Sequence, residues 1–343
     1  MKICRQVALP AAFLLVSGAV HAAADVCQDA ASQFRTRNWA QAAQAYADCE
    51  KASPGQSDAL LYRGKALVNL SQFTDAATSL GTYIAAHPRS DDALYLLGYV
   101  RFRQDQPKES LAMFTRAAEV KGPEASDLKI AALDYVLLND YTSAARYLEQ
   151  SLQMNPSDGE ARYHLGRVRY QQNQFDAAIA AFEEVLRQDP ANVRAEDNLG
   201  LCLEAKNRTE AALAAYQKAI ELDKVATVHN EQPYLNLGKL LNTLDRAHDA
   251  IPLLSQALAI APQSPVAEYE LGRSQFLLGQ FGDALPHLQR AAKLDPRNSA
   301  PHYLLGRLYK RTGKTAEAAA EFKLTEELMR ARTPQSGGMT SRR

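Results

Sequence analysis

Along this chain apolar positions come in pairs of helix-period segments, each pair split by a short polar turn and most pairs closed by a proline. In one such pair, Leu165 and Val168 precede the turn Gln172-Asn173-Gln174, while Ala178 and Phe182 follow it and Pro190 ends it. Proline cannot continue a helix, because it lacks the amide hydrogen and clashes with the preceding turn. The spacing therefore predicts a series of antiparallel helical hairpins and no sheet.

The hairpins repeat. Glycine recurs at Gly64, Gly98, Gly166, Gly200, Gly238, Gly272 and Gly306, with Ala30 and Ala132 in the two remaining places, at a step of 34 residues broken once between Gly200 and Gly238. Twelve residues after each comes a second small residue, such as Ala76, Ser110 and Ala212; four further on comes a large apolar one, such as Leu80, Phe114 and Tyr216. Glycine inside a helix costs about 1 kcal/mol relative to alanine, so each needs a packing reason. Its place opposite the small residue of the second helix supplies one: two small residues let the backbones approach closely.

This order of small, large and proline at a 34-residue period resembles the tetratricopeptide repeat family over about nine units, beginning near Ala23, Ser57, Asp91, Ala125, Gly159, Val193, Glu231, Pro265 and Ser299. Gly122 and Lys224 stand where the closing proline belongs. The resemblance implies an all-α, right-handed superhelical solenoid whose first helices line a concave surface that binds peptides or protein surfaces. The four extra residues between Gly200 and Gly238 fall in Lys224 to Asn230, and a loop there is expected to be tolerated or to split the array. The expected organisation is a signal at 1–24, six repeats over 25–224, an inserted linker at 225–230, three repeats over 231–332, and a flexible tail at 333–343.

The signal rests on Lys2 and Arg5 before an apolar run from Val7 to Val20, followed by small residues around Ala22 and Ala24. That run is too short to span a bilayer, so cleavage and export to a bacterial periplasm are expected rather than anchoring. Export changes the meaning of the cysteines. The first hairpin turns near Asn38, and Cys27 and Cys49 lie eleven residues to either side, facing each other across antiparallel helices. In an oxidising compartment they are expected to form a disulfide, with Cys202 a buried filler.

Candidate chemistry is sparse. The 39 basic residues balance 39 acidic ones, which leaves no electrostatic footprint for nucleic acid. The seven histidines show no metal-ligand spacing, and Gly306 to Thr315 has the wrong glycine spacing and follows a helix, not a strand, so it is no phosphate loop. No nucleophile signature occurs, and neither enzyme activity nor cofactor nor metal is expected.

The family geometry places certain first-helix positions on the concave face, and these are notable for tyrosine and arginine: Tyr95, Tyr99 and Phe102 in the third unit; Tyr163, Arg167 and Tyr170 in the fifth; Tyr269, Arg273 and Phe276 in the eighth; and Tyr303 and Arg307 in the ninth. Both residue types are enriched at binding hot spots, although tyrosine also packs between repeats and arginine stacks on it. The sequence thus points to a non-catalytic scaffold or adaptor for a protein or peptide in the cell envelope. Rival readings are a polysaccharide-export scaffold stacking sugar rings on the same tyrosines, and self-association through Phe322, Leu324, Leu328 and Met329 of the last unit.

Overall fold

The computed structural model describes residues 25–55 and 58–332; the proposed signal at 1–24 and tail at 333–343 lie outside the described residues. Among the described residues there are eighteen α-helices and no strand. In chain order they are α1 (25–35), α2 (Trp39–Ala52), α3 (Ala59–Asn69), α4 (Phe73–Ala86), α5 (Asp91–Arg103), α6 (Pro107–Ala118), α7 (Ala125–Leu137), α8 (Tyr141–Met154) and α9 (Gly159–Gln171). There follow α10 (Phe175–Gln188), α11 (Val193–Ala205), α12 (Thr209–Lys224), α13 (Gln232–Thr243), α14 (Ala247–Ile260), α15 (Pro265–Leu277), α16 (Phe281–Leu294), α17 (Ser299–Arg311) and α18 (Thr315–Arg332). The all-α repeat architecture is the one the periodicity predicts, and six first helices start on the residues where the repeat phase puts them, from Asp91 to Ser299.

Local chemistry explains these boundaries. Ser90, Asp158, Asn192, Ser264 and Asn298 each precede a first helix and accept a backbone N–H from its first turn, satisfying a donor that the helix cannot. Each hairpin turn holds one residue in the left-handed region: Arg37, Ser71, Asp105, Asn139, Asn173, Asn207, Asp245, Gly279 and Gly313, with φ between 56° and 79°. Glycine, asparagine and aspartate fill seven of these nine places because they tolerate that region most easily.

The glycine of the first helix has a larger neighbour than the sequence suggests. A Cβ on Gly64 would lie 2.7 Å from Leu80, and one on Gly200 would lie 2.5 Å from Tyr216. Gly98, Gly238, Gly272 and Gly306 stand likewise under Phe114, Leu254, Leu288 and Phe322. The partner is the large apolar residue of the second helix, sixteen positions on. The small residue twelve positions on sits beside the glycine backbone instead: the Ser110 hydroxyl donates to the Gly98 carbonyl at 2.9 Å. Small residues set the helix spacing, and the missing Cβ leaves room for the ring or isobutyl group between the helices.

The described residues form two compact units, one ending at Gln172 and the other beginning at Asn173. Their division falls at the turn after α9 and not at the insertion, which lies inside the second unit. There Asp223, fully buried, holds the inserted segment: it accepts from the Asn230 amide at 2.7 Å and from the Tyr234 hydroxyl at 3.2 Å, and His229 Nδ1 lies 3.2 Å away. At the start of the first unit, Cys27 on α1 and Cys49 on α2 form a disulfide. Beside it Phe34 meets Trp39, Tyr46 and Tyr62 edge-on, with ring centroids 5.2 to 6.1 Å apart.

Candidate functional site

In the first unit the third and fourth repeats enclose an open cavity. A cavity of about 550 Å³ is walled by Asp91, Asp92, Tyr95 and Tyr99 on α5, by Lys121, Gly122 and Glu124 in the connection, and by Asp127 and Ile130 on α7. It opens where the repeat is irregular. Helix α6 ends at Ala118, whereas α4 and α8 end at Ala86 and Met154, positions that correspond to residue 120 in the repeat phase. Gly122 then occupies the proline slot.

Two of the expected site residues, Tyr95 and Tyr99, line this space. Tyr95 is half-buried and donates its hydroxyl to the Lys121 carbonyl at 2.7 Å, which pins the ring to the connection. Burial, followed by the negative charges of Asp127, Asp91 and Glu124, pushes its phenol up to about 12. Tyr99 accepts from Arg103 Nη1 at 2.7 Å, and the same guanidinium lies 4.5 Å from the centre of the Phe73 ring. Phe102, also half-buried, is outside this lining.

The fifth-unit set is split by burial. Tyr163 is only 6% exposed and belongs to the interior, Tyr170 is half-buried, and Arg167 is exposed. Arg167 borders a small cavity of about 80 Å³ together with Val136, Tyr141, His164, Val168 and Gln171. Tyrosine at this register therefore contributes packing here and surface in the third repeat.

In the second unit, α15 and α17 bring the remaining expected residues together. Arg307 stacks over Phe276, 5.1 Å from its ring centre, and lies 5.9 Å from that of Tyr303. Phe276 is 7% exposed and part of the core, whereas Tyr303 is half exposed. Tyr269 is partly buried, and burial and the Glu270 charge raise its pKa while Arg273 and Arg307 oppose them. Arg273 itself pairs with Glu270 at 3.2 Å. The arginines are thus stacked and paired side chains that also present charge to solvent.

Buried polar groups that the periodicity did not flag also occupy first helices of this unit. Asp197 accepts from the Asn236 amide at 2.9 and 3.2 Å, and burial raises its pKa to about 6 while Asn236 holds it down. Asn242 donates to Glu270 and accepts from the Ser274 hydroxyl at 2.7 Å. Ser274 stands at a mostly apolar register, but Asn236 and Glu270 share theirs with His164 and Asn198, so the sequence carries no consistent signal for the set. Cys202 is buried, and desolvation pushes its thiol up to about 12, so it is an unreactive filler. Among the described residues no group of histidine, cysteine or carboxylate side chains is placed to hold a metal ion, and no helix is long and apolar enough to cross a membrane.

Comparison with known proteins places this geometry. No curated protein matches the chain. Among solved structures, a tetratricopeptide repeat protein from Parabacteroides merdae aligns with a TM-score of 0.57 at 12% identity, covering 74% of this chain and 99% of its own. The C-terminal part of a TPR repeat-containing protein from Cytophaga hutchinsonii gives 0.57 at 17% identity, over 71% of this chain and 98% of its own. A chain of the APC/C hetero-tetramer Cut9-Hcn1 gives 0.58 at 17% identity, over 84% of this chain and 56% of its own. At these identities the likeness establishes the fold alone. Two family models described as tetratricopeptide repeat match the sequence itself, one at residues 63–126, 131–192 and 165–226 and the other at 275–331. Together they span more than half of the chain, which belongs to the tetratricopeptide repeat family.

Proposed function

We propose that the protein is a non-catalytic scaffold of the bacterial cell envelope, exported to the periplasm, which holds a peptide or protein partner against the first helices of its repeats. The observation that carries this reading is the open cavity of about 550 Å³ walled by Tyr95 and Tyr99, large enough for several side chains of a bound segment. The N-terminal charge and hydropathy pattern supports export, and the Cys27–Cys49 disulfide suits an oxidising compartment.

A photo-crosslinking amino acid in place of Tyr99 tests the reading in cells. The expected result is a discrete adduct that disappears when Tyr95 is also changed to alanine, with helical content retained. Equal adduct yield from Glu109, exposed on the second helix of the same repeat, would refute it. Cell fractionation tests the compartment: full-length protein retained in the cytoplasm would remove the envelope assignment. A second reading, self-association through the last repeat, is favoured by Leu324 and Met329 on α18, 37% and 59% exposed. Light scattering of an L324E/M329E variant tests it, with a smaller species than the parent expected.

A further inference from the structure

We infer that the groove at the junction of the third and fourth repeats selects a cationic peptide segment, seating a lysine or arginine side chain among Asp91, Asp92, Glu124 and Asp127 and an apolar neighbour in the adjoining cavity. This inference rests on the groove reading above and names the chemistry of its occupant.

Two cavities meet here. Beside the larger one lies a second, of about 290 Å³, with Leu111, Phe114, Leu128, Ala131 and Tyr147 in its wall. Tyr95 and Asp127 border both, so the two chambers are separated by a single layer of side chains. One is acidic and the other largely apolar. A well-packed repeat protein rarely leaves such space empty, and an extended segment presents successive side chains at a spacing that could fill both.

The larger chamber is short of positive charge. Lys65 takes up Asp92, and Lys121, with a side chain 63% exposed, reaches Asp91 only at 3.7 Å. Among the described ion pairs none involves Glu124 or Asp127. Asp127 accepts from the Glu124 backbone amide at 2.8 Å, which orders it without neutralising it. Burial raises the Asp127 pKa, and the Glu124 charge adds to the rise against the Glu124 amide and Lys121. Burial and then the charges of Asp127, Asp91 and Glu124 raise the Tyr95 phenol as well. A cation entering between these groups relieves the repulsion in a chamber also lined by Tyr95 and Tyr99, a mix of carboxylate and aromatic groups that suits ammonium and guanidinium. An anionic segment would meet four carboxylates.

The probe is a fluorescein-labelled peptide with two lysine–leucine pairs in a glycine–serine background, titrated against the full chain by fluorescence anisotropy. The expected result is saturable binding that weakens with salt and falls about tenfold in E124Q/D127N. Replacing lysine by glutamate in the peptide is expected to abolish binding, and replacing leucine by serine to weaken it. Because Asp127 also caps α7, a D91N/D92N variant gives an independent check with that cap intact. Unchanged affinity in both neutralised variants, equal binding of the glutamate peptide, or no binding at millimolar peptide overturns the inference. The general groove reading fails separately: if Y95A/Y99A reduces binding while the neutralised variants do not, the groove stands and its charge selectivity falls. If no substitution affects any peptide, the groove falls too.

Discussion

Asp134 offers a sharp test of how the first unit is held together. It lies on α7 at the register that holds Val100, Val168, Cys202, Leu240 and Leu308 elsewhere, all of them buried. Its side chain is fully buried, and neither carboxylate oxygen has a hydrogen-bond partner. Burial pushes its pKa up to about 7; the neighbouring Ser110 hydroxyl acts in the opposite direction, but that hydroxyl donates its proton to the Gly98 carbonyl. A carboxyl whose pKa is raised on folding stabilises the fold fully below its unfolded value of 3.8. That contribution declines by about 1.4 kcal/mol per pH unit as the pH rises towards 7 and is gone above it. About three units separate the two values, so the loss amounts to about 4 kcal/mol. Asp134→Val, nearly isosteric and matching Val100 and Val168 at the same register, removes the titration. Urea unfolding of both chains, followed by circular dichroism, should show the variant more stable throughout. Its advantage should grow by about 4 kcal/mol between about pH 4 and about pH 8. An advantage that is constant, or that shrinks with rising pH, would refute this account of the buried carboxyl.

Other substitutions test the packing rules of the repeat. Gly200→Ala places a methyl group 2.5 Å from Tyr216 and should cost about 1–3 kcal/mol by overpacking, read as a lower midpoint in urea. Gly81→Ala, on α4 with nothing within 4 Å of its new Cβ, should instead stabilise by about 0.5–1 kcal/mol; equal effects at the two sites would contradict the role assigned to the repeat glycine. Cys27→Ala with Cys49→Ala opens a loop of 22 residues and should cost about 3 kcal/mol, measured against the oxidised parent by thermal melting. Asp223→Ala should raise hydrogen exchange of the Asn230 amide, whose acceptor at 2.7 Å it removes; unchanged exchange would mean that the insertion is held by other contacts.

The repeat period determined the helical hairpins, most of their starts and the family, and the turn near Asn38 set Cys27 opposite Cys49. Each follows from spacing along the chain: hydrophobic periodicity, a proline that ends a helix, and equal distances from a turn. The ring and isobutyl groups above the glycines were not legible at that level, because sixteen residues of sequence separation become contact only once two helices cross. Nor could the period separate Tyr95, which lines a cavity, from Tyr163 at the same register, which is buried at 6% exposure, since exposure depends on how neighbouring repeats pack. The same holds for charge. The sequence shows equal numbers of acids and bases, whereas the fold gathers Asp91, Asp92, Glu124 and Asp127 around one cavity, and among the described residues only the first two form ion pairs. Helix boundaries depend on local backbone chemistry and can be read along a chain; the depth and charge of a groove arise from residues that only the stacking of repeats brings together.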